Sequence, residues 1–368
     1  MRMFSKRGYV FTAFIILFTL CILFVIDFSR SDSFIKQNEV YRSFIIKFKL
    51  GSKKYWNLDY QNKYSTELDN ELQLCKKNNI KVICCWGNSL TVGGGGDGVT
   101  YPNVLQSKLG NKYKVINCGV GGEKTSTITS RQGGIPMYID IDIDIPDSKE
   151  NEVIIGDLKN SHLKSSFNDS IVKPLLQPTS YYTVNPVFID SVEYTLWWSG
   201  WDHKDEKGKY IIKRNDNGNS VKIKSGTLVH TASEYRFKDS FINIFFMGQN
   251  GGYSNNQDLL NQYKRMINFS TSDKFIIIGL YAKGTIEEMK EMESLFKSEF
   301  GDKYINLREY LSGKSLTDAN IKPTEKDIKA ISDGFCPPSI MSDKVHLNKI
   351  GYKLLGNLVY ERMSTLGY

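Results

Sequence analysis

The stretch whose reading decides the fold runs Ile80-Lys81-Val82-Ile83-Cys84-Cys85-Trp86-Gly87-Asn88-Ser89-Leu90-Thr91. Its first half is apolar and rich in β-branched residues, the composition of a buried strand. The run breaks at Trp86-Gly87 and delivers one hydroxyl, Ser89, just ahead of the glycines Gly93 to Gly96. A strand ending in a tight turn places such a side chain at the carboxyl edge of its sheet, where open α/β sheets bind ligands. Taken alone, a serine there more often caps the next helix than reacts.

Outward from this stretch the pattern continues as glycine loop, helix and strand. Tyr101–Leu109 carries apolar residues at near-helical spacing and ends at Gly110, a suitable C-cap. A second apolar run, Tyr113–Ile116, leads into Asn117-Cys118-Gly119-Val120-Gly121-Gly122-Glu123. After residue 236 the rhythm returns, with a strand at Phe241–Met247 followed by Gly248-Gln249-Asn250. Then come a helix at Gln257–Phe269, a strand at Phe275–Tyr281, a helix at Thr285–Phe300 and a short strand at Tyr304–Leu307. Asp343-Lys344-Val345-His346 precedes a last helix, from Leu347 to about Ser364. Alternating strands and helices predict a parallel sheet covered by helices.

In order and context, these four segments resemble the sequence blocks of the SGNH or GDSL hydrolases, named for their Ser, Gly, Asn and His. The resemblance covers roughly residues 79–134 and 236–364. It implies an α/β fold with a three-layer, parallel-sheet, flavodoxin-like core, and the chemistry of a serine esterase without a cofactor. It further implies an oxyanion hole made of the Ser89 N–H, the Gly122 N–H and the Asn250 side-chain amide. Glycine suits the Gly122 position because it permits close backbone approach and left-handed φ.

A neutral hydroxyl is a poor nucleophile, so Ser89 needs a base to take its proton. His346 is the candidate, since an imidazole titrates near neutrality and can later protonate a departing alcohol. Asp343, three residues earlier, reaches the other ring nitrogen if the segment is a turn or a first helical turn, and there it fixes the tautomer. The sequence departs from the family pattern in two places. Asn88 stands where the family usually has Asp, and Gly248-Gln249-Asn250-Gly251 stands where it often has Gly-x-Asn-Asp. Asn88 keeps an amide for hydrogen bonding and gives up the negative charge. Ser89 also lacks the flanking glycines of the Gly-x-Ser-x-Gly elbow.

Between the two halves the rhythm is lost. Tyr138–Ile145 alternates Ile and Asp, which predicts a strand with one wet face. Pro186–Trp198, Tyr210–Arg214 and Val221–Lys224 are strand-like and separated by turn signals such as Asn215-Asp216-Asn217-Gly218. We therefore expect a β-rich insertion over 135–235, with the catalytic domain formed by 79–134 and 236–368. Tyr194, Trp197, Trp198 and Trp201 would form either the insertion's core or a sugar-stacking platform. Asp140, Asp142 and Asp144 alternate without the glycine turn and terminal Glu of a calcium loop, which favours a solvated strand face.

At the N-terminus, Arg2, Lys6 and Arg7 precede the uncharged run Gly8–Ile26. As a helix that run spans roughly 28 Å, close to the thickness of a bilayer's hydrocarbon. The expectation is a transmembrane anchor over 1–27 with its cationic flank in the cytoplasm, a stalk over 28–78 ending in a helix at about Ser65–Lys77, and an extracytoplasmic remainder.

With 368 residues, 40% of them hydrophobic and 24% charged, the chain can bury a full core. Its formal charge of +8 is spread without a dense basic stripe, which argues against nucleic acid as a partner. Cys21, Cys75, Cys84, Cys85, Cys118 and Cys336 form no C-x-x-C pair, and His162, His203, His230 and His346 show no metal-ligand spacing. The expected function is therefore a membrane-anchored extracytoplasmic serine esterase. Its partner would be an O-acylated small molecule or glycan, with O-acetyl esters on carbohydrate foremost. An O-acyltransferase would use the same acyl-enzyme, and a noncatalytic carbohydrate-binding or scaffolding protein would use none of it. Nothing in the sequence fixes an oligomeric state.

Overall fold

The computed structural model describes residues 58–176, 183–200 and 203–368. In chain order its strands begin with β1 (Lys81–Gly87) and β2 (Tyr113–Gly119). Short strands follow: β3 (Met137–Ile139), β4 (Ile143–Ile145), β5 (Val153–Gly156), β6 (Leu163–Ser165), β7 (Val187–Ile189), β8 (Val192–Trp198), β9 (Tyr210–Arg214), β10 (Val221–Ile223) and β11 (Leu228–Thr231). The series closes with β12 (Ile242–Phe246), β13 (Phe275–Ile278) and β14 (Tyr304–Ile305).

Five of these strands form one parallel sheet in the order β14-β13-β12-β1-β2. β1 lies inside it, in register with β12 through Gly87↔Phe246 and with β2 through Gly87↔Gly119. Ile83, Cys84, Cys85 and Trp86 are accordingly buried, as a strand covered on both faces requires. Helices Leu58–Lys77 and Thr125–Gln132 pack against β1, and helix Lys349–Thr365 packs against helix Tyr101–Leu109. Gly87 is where β1 must stop. A Cβ there would stand 2.2 Å from Thr91 Oγ1 and 2.3 Å from the Phe246 carbonyl, so only glycine lets the chain turn this tightly.

The remaining strands pair antiparallel. One sheet has the order β5-β9-β8-β7-β11-β3-β6, and β10 pairs with β4 alone. Both sheet types belong to one unit, Leu58–Tyr368.

The expected three-layer, parallel-sheet core is thus corrected. The fold is mixed α/β, and its larger sheet is the seven-stranded antiparallel one. Among the described residues only β7 and β8 are joined by a tight turn that dictates antiparallel pairing; the other antiparallel pairs, such as β5 with β9 and β3 with β11, bring together strands distant in the chain. Among the described residues no helix is long and apolar enough to cross a membrane, and the run Gly8–Ile26 lies outside them.

Two strand readings change as well. Tyr138–Ile145 is not one strand: it breaks at Asp140-Ile141-Asp142 and sends β3 and β4 into different sheets. Pro186–Trp198 is a hairpin, β7 to β8, turning on Asp190 (φ 49°) and Ser191 (φ 64°). Those two left-handed residues make a two-residue turn whose twist suits flanking strands.

Candidate active site

Ser89 opens a single helical turn, Ser89–Val92, at the end of β1. Asn88 caps that turn by accepting the Leu90 N–H at 3.0 Å through Oδ1, the bond an aspartate would also make. Its Nδ2 is buried without a partner. The turn ends at Gly93 in the left-handed region, φ 96°.

His346 lies in the loop just ahead of helix Lys349–Thr365, which starts later than expected because Asn348 caps it. Asp343 shapes this loop. Its Oδ1 accepts the N–H groups of Val345 and His346, both at 2.7 Å, while Oδ2 meets His346 Nδ1 at 2.8 Å. The segment is thus the turn, and not the helical turn, of the two conformations that the spacing allowed. Across 257 positions of chain, His346 Nε2 stands 2.9 Å from Ser89 Oγ. Hydroxyl, imidazole and carboxylate therefore form one hydrogen-bonded file.

Burial acts against the charge on Asp343, yet the amide and ring hydrogen bonds from His346, joined by the Val345 amide, outweigh it and hold the carboxyl below its usual range. The file lies at an open edge. Ser89 is half-buried, and the His346 and Asp343 side chains are 27% and 56% exposed.

The other two candidates sit on loops leaving the neighbouring strands. Gly122 follows β2 with φ 83°, and Asn250 follows β12. Asn250 Nδ2 donates to the Glu123 carbonyl at 3.0 Å, while Thr125 N–H donates to the Gly251 carbonyl at 2.9 Å and Thr125 Oγ1 to the Gly252 carbonyl at 2.8 Å. These bonds stitch the two loops together. Strands β2, β1 and β12 are adjacent, so Gly122, Ser89 and Asn250 share the carboxyl edge of one sheet.

Sequence reasoning missed several residues around this edge. The Gly93-to-Gly96 loop packs on the imidazole. A Cβ on Gly94 would lie 3.0 Å from His346 Cδ2, and Tyr352 Oη donates to the Gly94 carbonyl at 2.9 Å. Beneath Gly122 lies a buried ion pair, in which Arg131 Nη2 and Nε donate to Glu123 Oε2 at 2.9 and 3.2 Å. Both side chains are at most 2% exposed. Burial raises the Glu123 carboxyl above its usual range against the pull of Arg131 and of the Leu175 amide. Nothing periodic in the sequence marks this pair.

A cavity of about 520 Å³ adjoins Asp343, between Tyr281, Phe335, Cys336 and Met341. In the antiparallel sheet, Tyr194 and Trp198 are buried, with Trp198 4.7 Å from Tyr210 between ring centroids, so they serve as core. Trp201 lies outside the described residues. Asp142 pairs with Lys224 at 3.1 Å, and Asp140 with His162 at 2.8 Å. Among the described residues no cluster of His, Cys, Asp and Glu is placed to hold a metal ion.

No protein-family model and no curated relative matches the chain. A solved structure of a carbohydrate acetylesterase family member from Sinorhizobium meliloti is similar at 13% identity and a TM-score of 0.33, over 78% of this chain and all of that one, 100%. A second solved structure aligns at 12% identity and a TM-score of 0.35, again over 78% of this chain and 100% of that one. Likenesses so slight carry no function across.

Proposed function

We propose that this chain is a serine esterase that hydrolyses O-acyl esters, O-acetyl groups on carbohydrate foremost, through an acyl-enzyme on Ser89. The observation that carries the proposal is the file from Ser89 Oγ through the His346 ring to Asp343, with gaps of 2.9 and 2.8 Å. Both are within the reach that proton transfer needs.

In the proposed reaction His346 Nε2 takes the hydroxyl proton as Ser89 Oγ attacks the ester carbonyl carbon. Asp343 stays charged, holds Nδ1 protonated and stabilises the imidazolium. The oxygen bearing the new negative charge is met by the N–H groups of Ser89 and Gly122 and by the Asn250 amide, whose other N–H is spent on Glu123. The tetrahedral intermediate collapses, His346 hands its proton to the departing alcohol, and the acyl group stays on Ser89. Water then repeats the sequence and releases the acid. The open setting of the file supports a hydrated alcohol such as a sugar over a lipid chain, which would need an apolar shaft.

The test is acetate release by the full-length chain from 4-nitrophenyl acetate and from a peracetylated sugar. Ser89→Ala is expected to lower kcat by about 10⁴-fold or more. Equal turnover by the two proteins would remove Ser89 from the reaction. Acylated sugar accumulating without free acid would instead mark an acyltransferase, and glycan binding without turnover of any ester would mark a noncatalytic binder.

A further inference from the structure

Residues 171–176 run from the antiparallel part of the chain to the edge that carries Gly122, and three consecutive residues there are pinned through main-chain atoms. Thr127 Oγ1 donates to the Lys173 carbonyl at 3.3 Å, Tyr210 Oη donates to the Pro174 carbonyl at 3.2 Å, and the Leu175 amide donates to the Glu123 carboxylate. Each anchor is itself immobilised. Thr127 belongs to a buried helix, Tyr210 is a buried residue of β9, and Glu123 is held by Arg131. The strap therefore holds the Leu175 main chain in place, and the half-buried side chain puts Cδ1 3.2 Å from where a Cβ on Gly122 would stand.

Gly122 carries one of the amides assigned above to the carbonyl oxygen. A methyl group this close to it takes up space beside the bound carbonyl. The side of the ester it limits follows from the strand order. The departing alcohol must lie against the His346 ring, which rests on the loop after β1, whereas Leu175 lies over the loop after β2. That division leaves Leu175 facing the acyl group.

We propose that Leu175 determines acyl specificity: the β-rich insertion supplies the wall of the acyl site, and this wall admits acetyl while excluding longer chains. The inference rests on the esterase reading and adds the acyl class to it. A wall fixed by hydrogen bonds within a packed protein does not swing aside for an extra methylene. Each added carbon is therefore met by overlap.

The experiment uses the full-length chain with 4-nitrophenyl acetate, butyrate and hexanoate, and separately with acetate esters of alcohols of increasing bulk. Wild type is expected to lose about tenfold or more in kcat/KM from acetate to butyrate, the usual discrimination of a closed apolar wall. Leu175→Ala should raise the butyrate-to-acetate ratio by about tenfold, and Leu175→Phe should lower it. Near-UV circular dichroism identifies a variant that fails to fold, in which case the other one decides. Wild-type turnover with an unmoved ratio overturns the wall, as does a change confined to the alcohol series. Absence of any turnover by wild type strikes the esterase reading itself, so the two failures are told apart.

Discussion

Gly94 contributes no side chain, and the His346 ring uses the room this leaves. Alanine there would bring a methyl within 3.0 Å of Cδ2 and 3.3 Å of Nε2, so the imidazole must move. Misplacing a catalytic group by about 1 Å can cost about 100-fold. Contacts of 3.0 and 3.3 Å call for a shift of only a few tenths of an ångström, so under the proposed mechanism Gly94→Ala is expected to lower kcat by roughly two- to tenfold with KM little changed, as steady-state kinetics on 4-nitrophenyl acetate would record. At this scale the sequence was informative where chemistry-bearing residues sit in short segments at strand ends. Ser89, Gly122 and Asn250 lie in such segments, and the Asp343-to-His346 turn lies just ahead of the last helix. Glu123 and Arg131 were not legible, because an ion pair under a loop needs only contact and leaves no spacing rule behind. Asn88 shows an intermediate case: that its amide would hydrogen-bond was readable, while its place as the cap, which the sequence suggested for the serine, and the buried, unpartnered Nδ2 depend on how the fold encloses it.

Among the elements, helix Thr125–Gln132 is the most instructive. Its sequence, TSTITSRQ, has Ile128 as its one large apolar residue, yet seven of its residues are buried against β1, β11 and two helices. Its hydroxyls find local and distant carbonyls, among them Thr129 Oγ1 to Ser126 at 3.0 Å and Ser130 Oγ to Ser126 at 2.8 Å. Hydrophobic periodicity cannot reveal an element buried between two sheets by polar satisfaction. Helix Glu325–Ser332 supplies a prediction at the same scale. Asp327, buried at its start, accepts bonds from Thr324 and from the amide and hydroxyl of Ser339. Burial works against its charge, but those bonds prevail and hold the carboxyl at about 2. The unfolded value is about 3.9, so the lowered group contributes stability that is present above about pH 4 and lost as pH falls through about 2. Asp327→Asn is expected to cost about 2 kcal/mol near neutrality and almost nothing by about pH 2, as urea unfolding midpoints across that range would show.

On the scale of the whole molecule, the parallel half was legible because alternating strands and helices write themselves into hydrophobic spacing. The antiparallel half was legible as strands and not as an architecture, since nothing in short strands states which neighbour each will take. The stalk reading of the segment before β1 left out its contacts. Helix Leu58–Lys77 buries Leu68 and Cys75, its Ser65 Oγ donates to the Asn185 carbonyl at 3.0 Å, and its Asp69 receives Arg236 at 2.6 and 2.7 Å. Deleting everything before Ile80 takes the Asp69 carboxylate from Arg236, which keeps the Asn185 carbonyl, and removes the apolar burial of Leu68 and Cys75. Such a chain is expected to melt at least about 5 °C below the intact protein in calorimetry, with Asp69→Asn giving a smaller drop in the same direction. The strap at 173–175 has a consequence of its own. All three of its tethers engage backbone atoms, so the residues they hold are free to change identity while the tethers endure. Under the proposed esterase reading, natural variation there would redraw the accepted diet of esters with Ser89, His346 and Asp343 untouched, much as a lock is rekeyed without replacing its bolt.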